Sequence, residues 1–256
     1  YMTSNSVLIG AEFDKIVSIL MVTGVLALAL SRARSLLIES VIEGSAARDL
    51  SKFVPEEVAQ KVTRSEEGAI TGKGELSECT ILFTDIEGFT AISETLAPEQ
   101  LIEALNQYFS LVADPITRYG GVISQFQGDA ILATFNLPKP DSDHASNAVR
   151  AALEIQSVLK GVEFADGIAF NTRVGINTGP VVGGLVGSGD RVGYTVHGEN
   201  VNLTARLEQL NKDYDTRIIV ADSTLAMIPE GAFEFSDLGE VSVRGLNRPI
   251  RIYTLD

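Results

Sequence analysis

ILFTDIEGFTAISE, residues 81–94, runs from Ile81, Leu82, Phe83 and Thr84 straight into Asp85, three residues short of Gly88. The first four residues suit a buried strand. Such a strand should not end in an unpaired charge, because a desolvated carboxylate without a partner is costly. Asp85 therefore either caps the helix that follows or holds a cation, and the rest of the chain must supply the reason.

Working outward, strand and helix patterns alternate from Cys79 onward. CTILFT reads as a buried strand. APEQLIEALNQYFSLVADPITRYGG reads as a long amphipathic helix, with Pro98 in its first turn and glycines at its end. GVISQFQGDAILATF is a hairpin around a Gln-Gly-Asp turn. DHASNAVRAALEIQSVLK is a second helix, FNTRVGINTG a strand, and VVGGLVGSGDRVGYTVHG a glycine-rich pair of strands. ENVNLTARLEQLN is a third helix, and shorter strands finish the chain. This order predicts an α+β sheet with helices mainly on one face, as in split βαβ folds.

Asp129, like Asp85, sits at a strand end next to glycine. In a βαββ sheet the first strand and the hairpin can be neighbours, so the two carboxylates can converge. They repel unless a proton or a metal separates them, and oxygen-only ligation favours Mg²⁺ or Mn²⁺. Taken singly, each aspartate reads equally well as a cap or turn residue. The turn DIEGFT has backbone N–H groups suited to phosphate. Asn202 and Arg206, four apart in VNLTARLE, share one helix face. An amide and a guanidinium there suit hydroxyl and phosphate oxygens, and a solvated helix face explains them as well.

Composition narrows the classes. The 256 residues are 45% hydrophobic and carry a formal charge of −14. The chain can bury a large core in one or two domains. It lacks the clustered Lys and Arg of a general nucleic-acid binder. A single cysteine, Cys79, excludes an intrachain disulfide and a cysteine zinc cluster and fits a reducing cytosol. A chain that starts at Tyr1 is expected to be a piece of something longer.

Residues 16–31 contain no charge and are followed by Arg32 and Arg34. A spanning helix needs about 20 apolar residues, which this run reaches by extending back over VLIGAEF. A buried helix or a cleaved signal sequence also fits. A membrane span is preferred, because no small-residue cleavage site closes the run and the arginines mark the following segment as cytoplasmic. Residues 1–33 are thus expected to be a transmembrane helix with its flanks. Residues 34–75 are expected to be a helical connector, restarted at Pro55, ending in the polar linker TRSEEGAITGKGE.

FTDIEGFT, GDAILATF, RVGINTGPVVGG and YTVHGENVNLTARLE, in this order and spacing, resemble the catalytic domain of class III nucleotidyl cyclases. The resemblance covers residues 76–256 and implies a ferredoxin-like βααββαβ core that works as a homodimer with shared active sites. It implies that Asp85 and Asp129 hold two Mg²⁺ or Mn²⁺ ions, with the Ile86 carbonyl assisting one. The amides of Glu87, Gly88, Phe89 and Thr90 would cradle the terminal phosphates. Arg173 and Arg244 would contact the triphosphate, Arg244 standing where the family often has lysine. Asn202 would position the ribose and Arg206 would stabilise the pentavalent phosphorus. The implied reaction is attack of the ribose 3′-hydroxyl of ATP on the α-phosphorus, giving cyclic AMP and pyrophosphate.

The chain departs from the family at the base. Adenylyl cyclases usually have lysine where Gln125 stands, and Thr195 occupies the partner position, often aspartate or threonine. Gln125 both donates and accepts, so it suits either base. ATP is preferred because Thr195 matches a common bacterial adenylyl subtype and the glutamate of guanylyl cyclases is absent. A guanylyl cyclase and a catalytically silent nucleotide-binding dimerisation module are the alternatives. The complete set Asp85, Asp129, Asn202 and Arg206 speaks against silence. The Gly-Gly-(Asp/Glu)-Glu-Phe signature of diguanylate cyclases is absent. His197 and Glu199, in an HGEN turn where the family more often has IGDT or WGNT, are given no role.

Overall fold

The computed structural model describes residues 13, 15–34, 74–188, 191–244 and 248–255. They belong to two compact units. The first holds helix α1, Lys15–Arg34. Its Leu, Val, Ile, Ala and Met side chains give a mean hydropathy of 2.0 over a helix of 20 residues. At 1.5 Å per residue this is about 30 Å, the thickness of a bilayer's hydrocarbon core. The helix is long and apolar enough to cross a membrane. A signal sequence near an N-terminus meets the same test. The expected connector and linker fall almost entirely outside the described residues.

The second unit begins with β1 (Glu75–Ile86), α2 (Phe89–Thr95), α3 (Pro98–Arg118), β2 (Val122–Gln127), β3 (Ala130–Phe135), α4 (His144–Leu159) and β4 (Thr172–Ser188). This is the expected βααββαβ order. It continues with β5 (Arg191–His197), α5 (Glu199–Tyr214), β6 (Ile218–Ala221), α6 (Asp222–Leu225), β7 (Ser236–Val241) and β8 (Ile250–Thr254). One sheet runs β2-β3-β1-β4-β6-β8-β7, with β5 paired to β4. β1 is flanked on both sides by antiparallel partners, β3 and β4, which is why its Cys79–Leu82 run is buried.

The sequence suggests a break between FNTRVGINTG and VVGGLVG. The structure joins them into one strand of 17 residues through Pro180. β6 pairs with β4 at 174–176 and β5 pairs with it from 182 onward. Pro180 falls in the gap, where a missing N–H breaks no ladder on that side.

Alternation along the strands separates two faces. Leu82, Ile131, Val174, Ile176, Ile218 and Val220 form one core with Tyr108 and Val112 of α3 and Val149 and Ile155 of α4. Ile219 and Ala221, one residue out of phase, form a second core with Leu203 and Leu207 of α5. Thus α3 and α4 cover one face, with Phe89 and Ile92 of α2 packed at its edge, and α5 takes the other.

α5 rests on the sheet backbone to backbone. A Cβ added at Gly175 would stand 2.5 Å from both the Thr204 carbonyl and the Glu208 amide. Neither can yield without moving the helix. Gly175→Ala is therefore expected to destabilise the second unit by about 1–3 kcal/mol. Thermal unfolding checks this, and an unchanged midpoint would contradict the close approach.

Candidate active site

Asp85 ends β1 on the face that α5 occupies, opposite Arg173 of β4 in the ladder register. Asp129 sits in the two-residue turn between β2 and β3, after Gly128. Gly128 supplies the left-handed φ of 66° that starts this turn. The Ile86 amide donates to Asp129 Oδ2 at 3.2 Å, tethering the hairpin turn to the strand that carries Asp85. The two carboxylates converge as expected. Burial pushes the Asp85 carboxyl up to about 7, helped by a hydrogen bond with Asp129 and by the charges of Asp129 and Glu208; Arg173 opposes the rise.

This donor set fits a hard cation. Two carboxylates converge at the end of β1, where burial first and the neighbouring acids second raise the Asp85 carboxyl. Among the described residues no cluster of three or more His, Cys, Asp or Glu side chains is arranged to hold a metal. Any ion here therefore needs ligands beyond these side chains, and phosphate oxygens are the matching type.

Arg173 is only 13% exposed. Its Nε donates to Glu208 Oε1 at 2.9 Å, and its Nη2 lies 3.4 Å from Asp85 Oδ2. Burial raises the Glu208 carboxyl and Arg173 opposes that rise. Glu208 was not singled out from the sequence. Its signal was available: in the α5 pattern it falls on the stripe Asn200, Thr204, Glu208, Asn211 that faces β4, where an acid needs a partner.

Glu87 departs from expectation. Its amide donates to the Asn171 carbonyl at 2.8 Å, so it is already committed within the fold. Gly88, Phe89 and Thr90 open α2, whose cap residue Gly88 has φ 69° and no capping side chain. Three of the four expected amides thus remain at the turn beside Asp85.

Asn202 and Arg206 point elsewhere. Asn200 bonds Asn177 and the Pro180 carbonyl, and Asn211 bonds the Val174 carbonyl. With Glu208 on Arg173, these contacts fix which side of α5 meets β4. At 100° per residue, Asn202 and Arg206 lie about 120° and about 160° from Glu208 around the helix axis. Arg206 reaches the Arg244 carbonyl, so these two arginines meet in the same protomer. Arg244 itself is exposed on the segment after β7. Gln125 is exposed on β2 and Thr195 is half-buried on β5, and the two strands are in contact. One protomer therefore carries two partial constellations: Asp85, Asp129, Arg173 and the 88–90 turn in one, and Asn202, Arg206 and Arg244 in another.

The sequence profile of the adenylate and guanylate cyclase catalytic domain matches residues 72–256. Adenylate cyclase 1 of Rhizobium meliloti is 36% identical over 206 residues, 78% of this chain and 30% of that protein. The terminal-differentiation adenylate cyclase of Dictyostelium discoideum is 37% identical over 213 residues, 80% of this chain and 10% of that protein. The chain thus spans under a third of either relative. Among solved structures, a bacterial light-regulated adenylyl cyclase superposes with a TM-score of 0.70 at 27% identity, covering 86% of this chain and 62% of that one. The guanylate cyclase domain of RhGC from Catenaria anguillulae, in complex with GTP, gives 0.64 at 30% identity, covering 70% and 96%. With the profile spanning the whole sheet and its helices, the chain belongs to the adenylate and guanylate cyclase catalytic domain family.

Proposed function

We propose that this chain is the catalytic part of a membrane-attached adenylyl cyclase, converting ATP into 3′,5′-cyclic AMP and pyrophosphate in a two-fold dimer with shared sites. The observation that carries the reading is the opposition on α5. Glu208 turns inward to Arg173 beside Asp85, while Asn202 is exposed and the half-buried Arg206 turns away to the Arg244 carbonyl. A second copy related by a two-fold axis brings outward groups of one protomer to the inward pair of the other, and does so twice. A guanylyl cyclase domain among the similar solved structures is a non-canonical dimer, so domains of this fold do pair with copies of themselves.

In this reading Asp85 and Asp129 of one protomer hold two Mg²⁺ or Mn²⁺ ions with the Ile86 carbonyl. Bound there, the ions lower the pKa of the ribose hydroxyl and balance phosphate charge. Arg173 and the amides of Gly88, Phe89 and Thr90 bind the terminal phosphates of the same nucleotide. From the partner, Asn202 orients the ribose, Arg206 donates to the oxygens of the α-phosphate as charge builds there, and Arg244 adds a contact to the triphosphate. Gln125 and Thr195 flank the purine. Helix α1 attaches the enzyme to the membrane, with the catalytic body on the cytoplasmic side.

The test is incubation with ATP or GTP plus Mn²⁺, with the cyclic product identified by mass spectrometry. Cyclic AMP formed with a higher kcat/KM than cyclic GMP supports the reading. A reversed preference supports the guanylyl alternative, which the 36% identical solved structure of the guanylyl cyclase Cya2 favours. Absence of both products sinks the enzymatic reading. For the membrane, the whole chain is expected to sediment with vesicles and to need detergent, while a fragment spanning 72–256 stays in solution. Monodisperse behaviour of the whole chain without detergent would contradict the span.

A further inference from the structure

Strand β2 carries two glutamines on one side of the sheet. Phe126, between them, packs on Phe109 of α3 with ring centroids 4.8 Å apart. It marks the face covered by α3 and α4, and neighbouring side chains on a strand point to opposite faces. Gln125 and Gln127 therefore stand together on the face shared by Asp85, Arg173 and α5. There Gln127 Nε2 donates to Gln125 Oε1 at 3.1 Å. This bond engages the Gln125 carbonyl and turns its NH₂ group outward.

We infer that Gln127 is a specificity-determining residue: by holding the carbonyl of Gln125, it makes Gln125 present a donor to the purine and so selects adenine over guanine. The inference rests on the reading that Gln125 and Thr195 flank the base. Adenine offers an acceptor at N1 and a donor at its exocyclic amine. Guanine offers an acceptor at O6 but donors at N1–H and at its 2-amino group. A freely rotating glutamine amide matches either edge. With its NH₂ fixed outward, Gln125 donates to adenine N1, and the Thr195 hydroxyl can accept from the amine. Guanine would satisfy one bond at O6 and leave N1–H facing no acceptor on Gln125. A buried donor left unpaired is penalised, which is how hydrogen-bonding sites discriminate. The lysine usual in adenylyl cyclases also presents only donors. Here two glutamines achieve that, one fixing the other.

The experiment measures kcat/KM for ATP and for GTP in the full chain, with Mn²⁺, for the parent and three variants. Gln127→Glu offers only acceptors, so it takes the NH₂ of Gln125, reverses the amide and points the carbonyl at the base. The ATP/GTP ratio is expected to fall about tenfold. Gln127→Leu removes the anchor and frees the amide, so the ratio falls about threefold. Gln125→Lys restores a fixed donor and raises the ratio. A merely structural role for Gln127 would lower both nucleotides equally and leave the ratio unmoved. If the Gln127 variants leave the ratio unchanged while Gln125→Lys shifts it, the inference is overturned and the base pocket stands. If no variant shifts it, the base pocket reading itself fails.

Discussion

Asp85→Ala is expected to lose cyclase turnover by at least about 10³-fold while the fold survives. The two halves of this expectation have one cause. Asp85 stands one residue before the end of β1, near Asp129 and Glu208, with Arg173 as its close cation among the described residues. Its charge is held for a ligand more than for the fold. Because its carboxyl is raised to about 7, the ionised form costs folding stability as pH climbs from the usual value near about 4 through that range. In chelator at pH 8 the Asp85→Asn protein should therefore unfold at a temperature no lower than the parent. At about pH 2.5, below both values, that advantage should vanish. Thermal unfolding and product assays on the same preparations check both halves. Substantial Mg²⁺-supported turnover by Asp85→Ala would remove the metal assignment. A fall in stability at pH 8 would mean that Arg173 outweighs the two acids.

Arg206→Ala is expected to lower kcat by about 10²–10³, as for one transition-state donor removed from a preformed site. Nucleotide binding should change less, because the Arg206 contact is strongest when charge builds on the phosphate. The fold should be untouched, since among the described residues Arg206 bonds the exposed Arg244 carbonyl and no side chain of the core. Asn202→Ala should behave alike with a smaller loss. A raised KM with kcat unchanged would place Arg206 in ground-state binding instead.

How far the sequence reaches is clear from particular residues. The strand CTILFT, the helix from Pro98 and the Gln-Gly-Asp hairpin were legible because period, proline and glycine agree there. The convergence of Asp85 with Asp129 followed from strand adjacency. The continuity of β4 did not, because Pro180 reads locally as a break and only the gap between its two outer partners tolerates it. The partners of Glu208 and Asn171 were not legible for a related reason, although the stripe on α5 did mark Glu208 as facing the sheet. Their partners, Arg173 and the Glu87 amide, are set by tertiary contact between residues far apart in the chain. Gln127 looked like a turn residue until Phe126, packed on Phe109, showed which face it shares with Gln125.

The most direct test of shared sites uses two inactive proteins. Asp85→Ala and Arg206→Ala are mixed in equal amounts under conditions of proven subunit exchange. About half of the dimers are then mixed, and in each mixed dimer one site carries both lesions and the other none. The account predicts recovery to about a quarter of parental cyclase activity. A mixture that stays as inactive as its components, despite exchange, would contradict it.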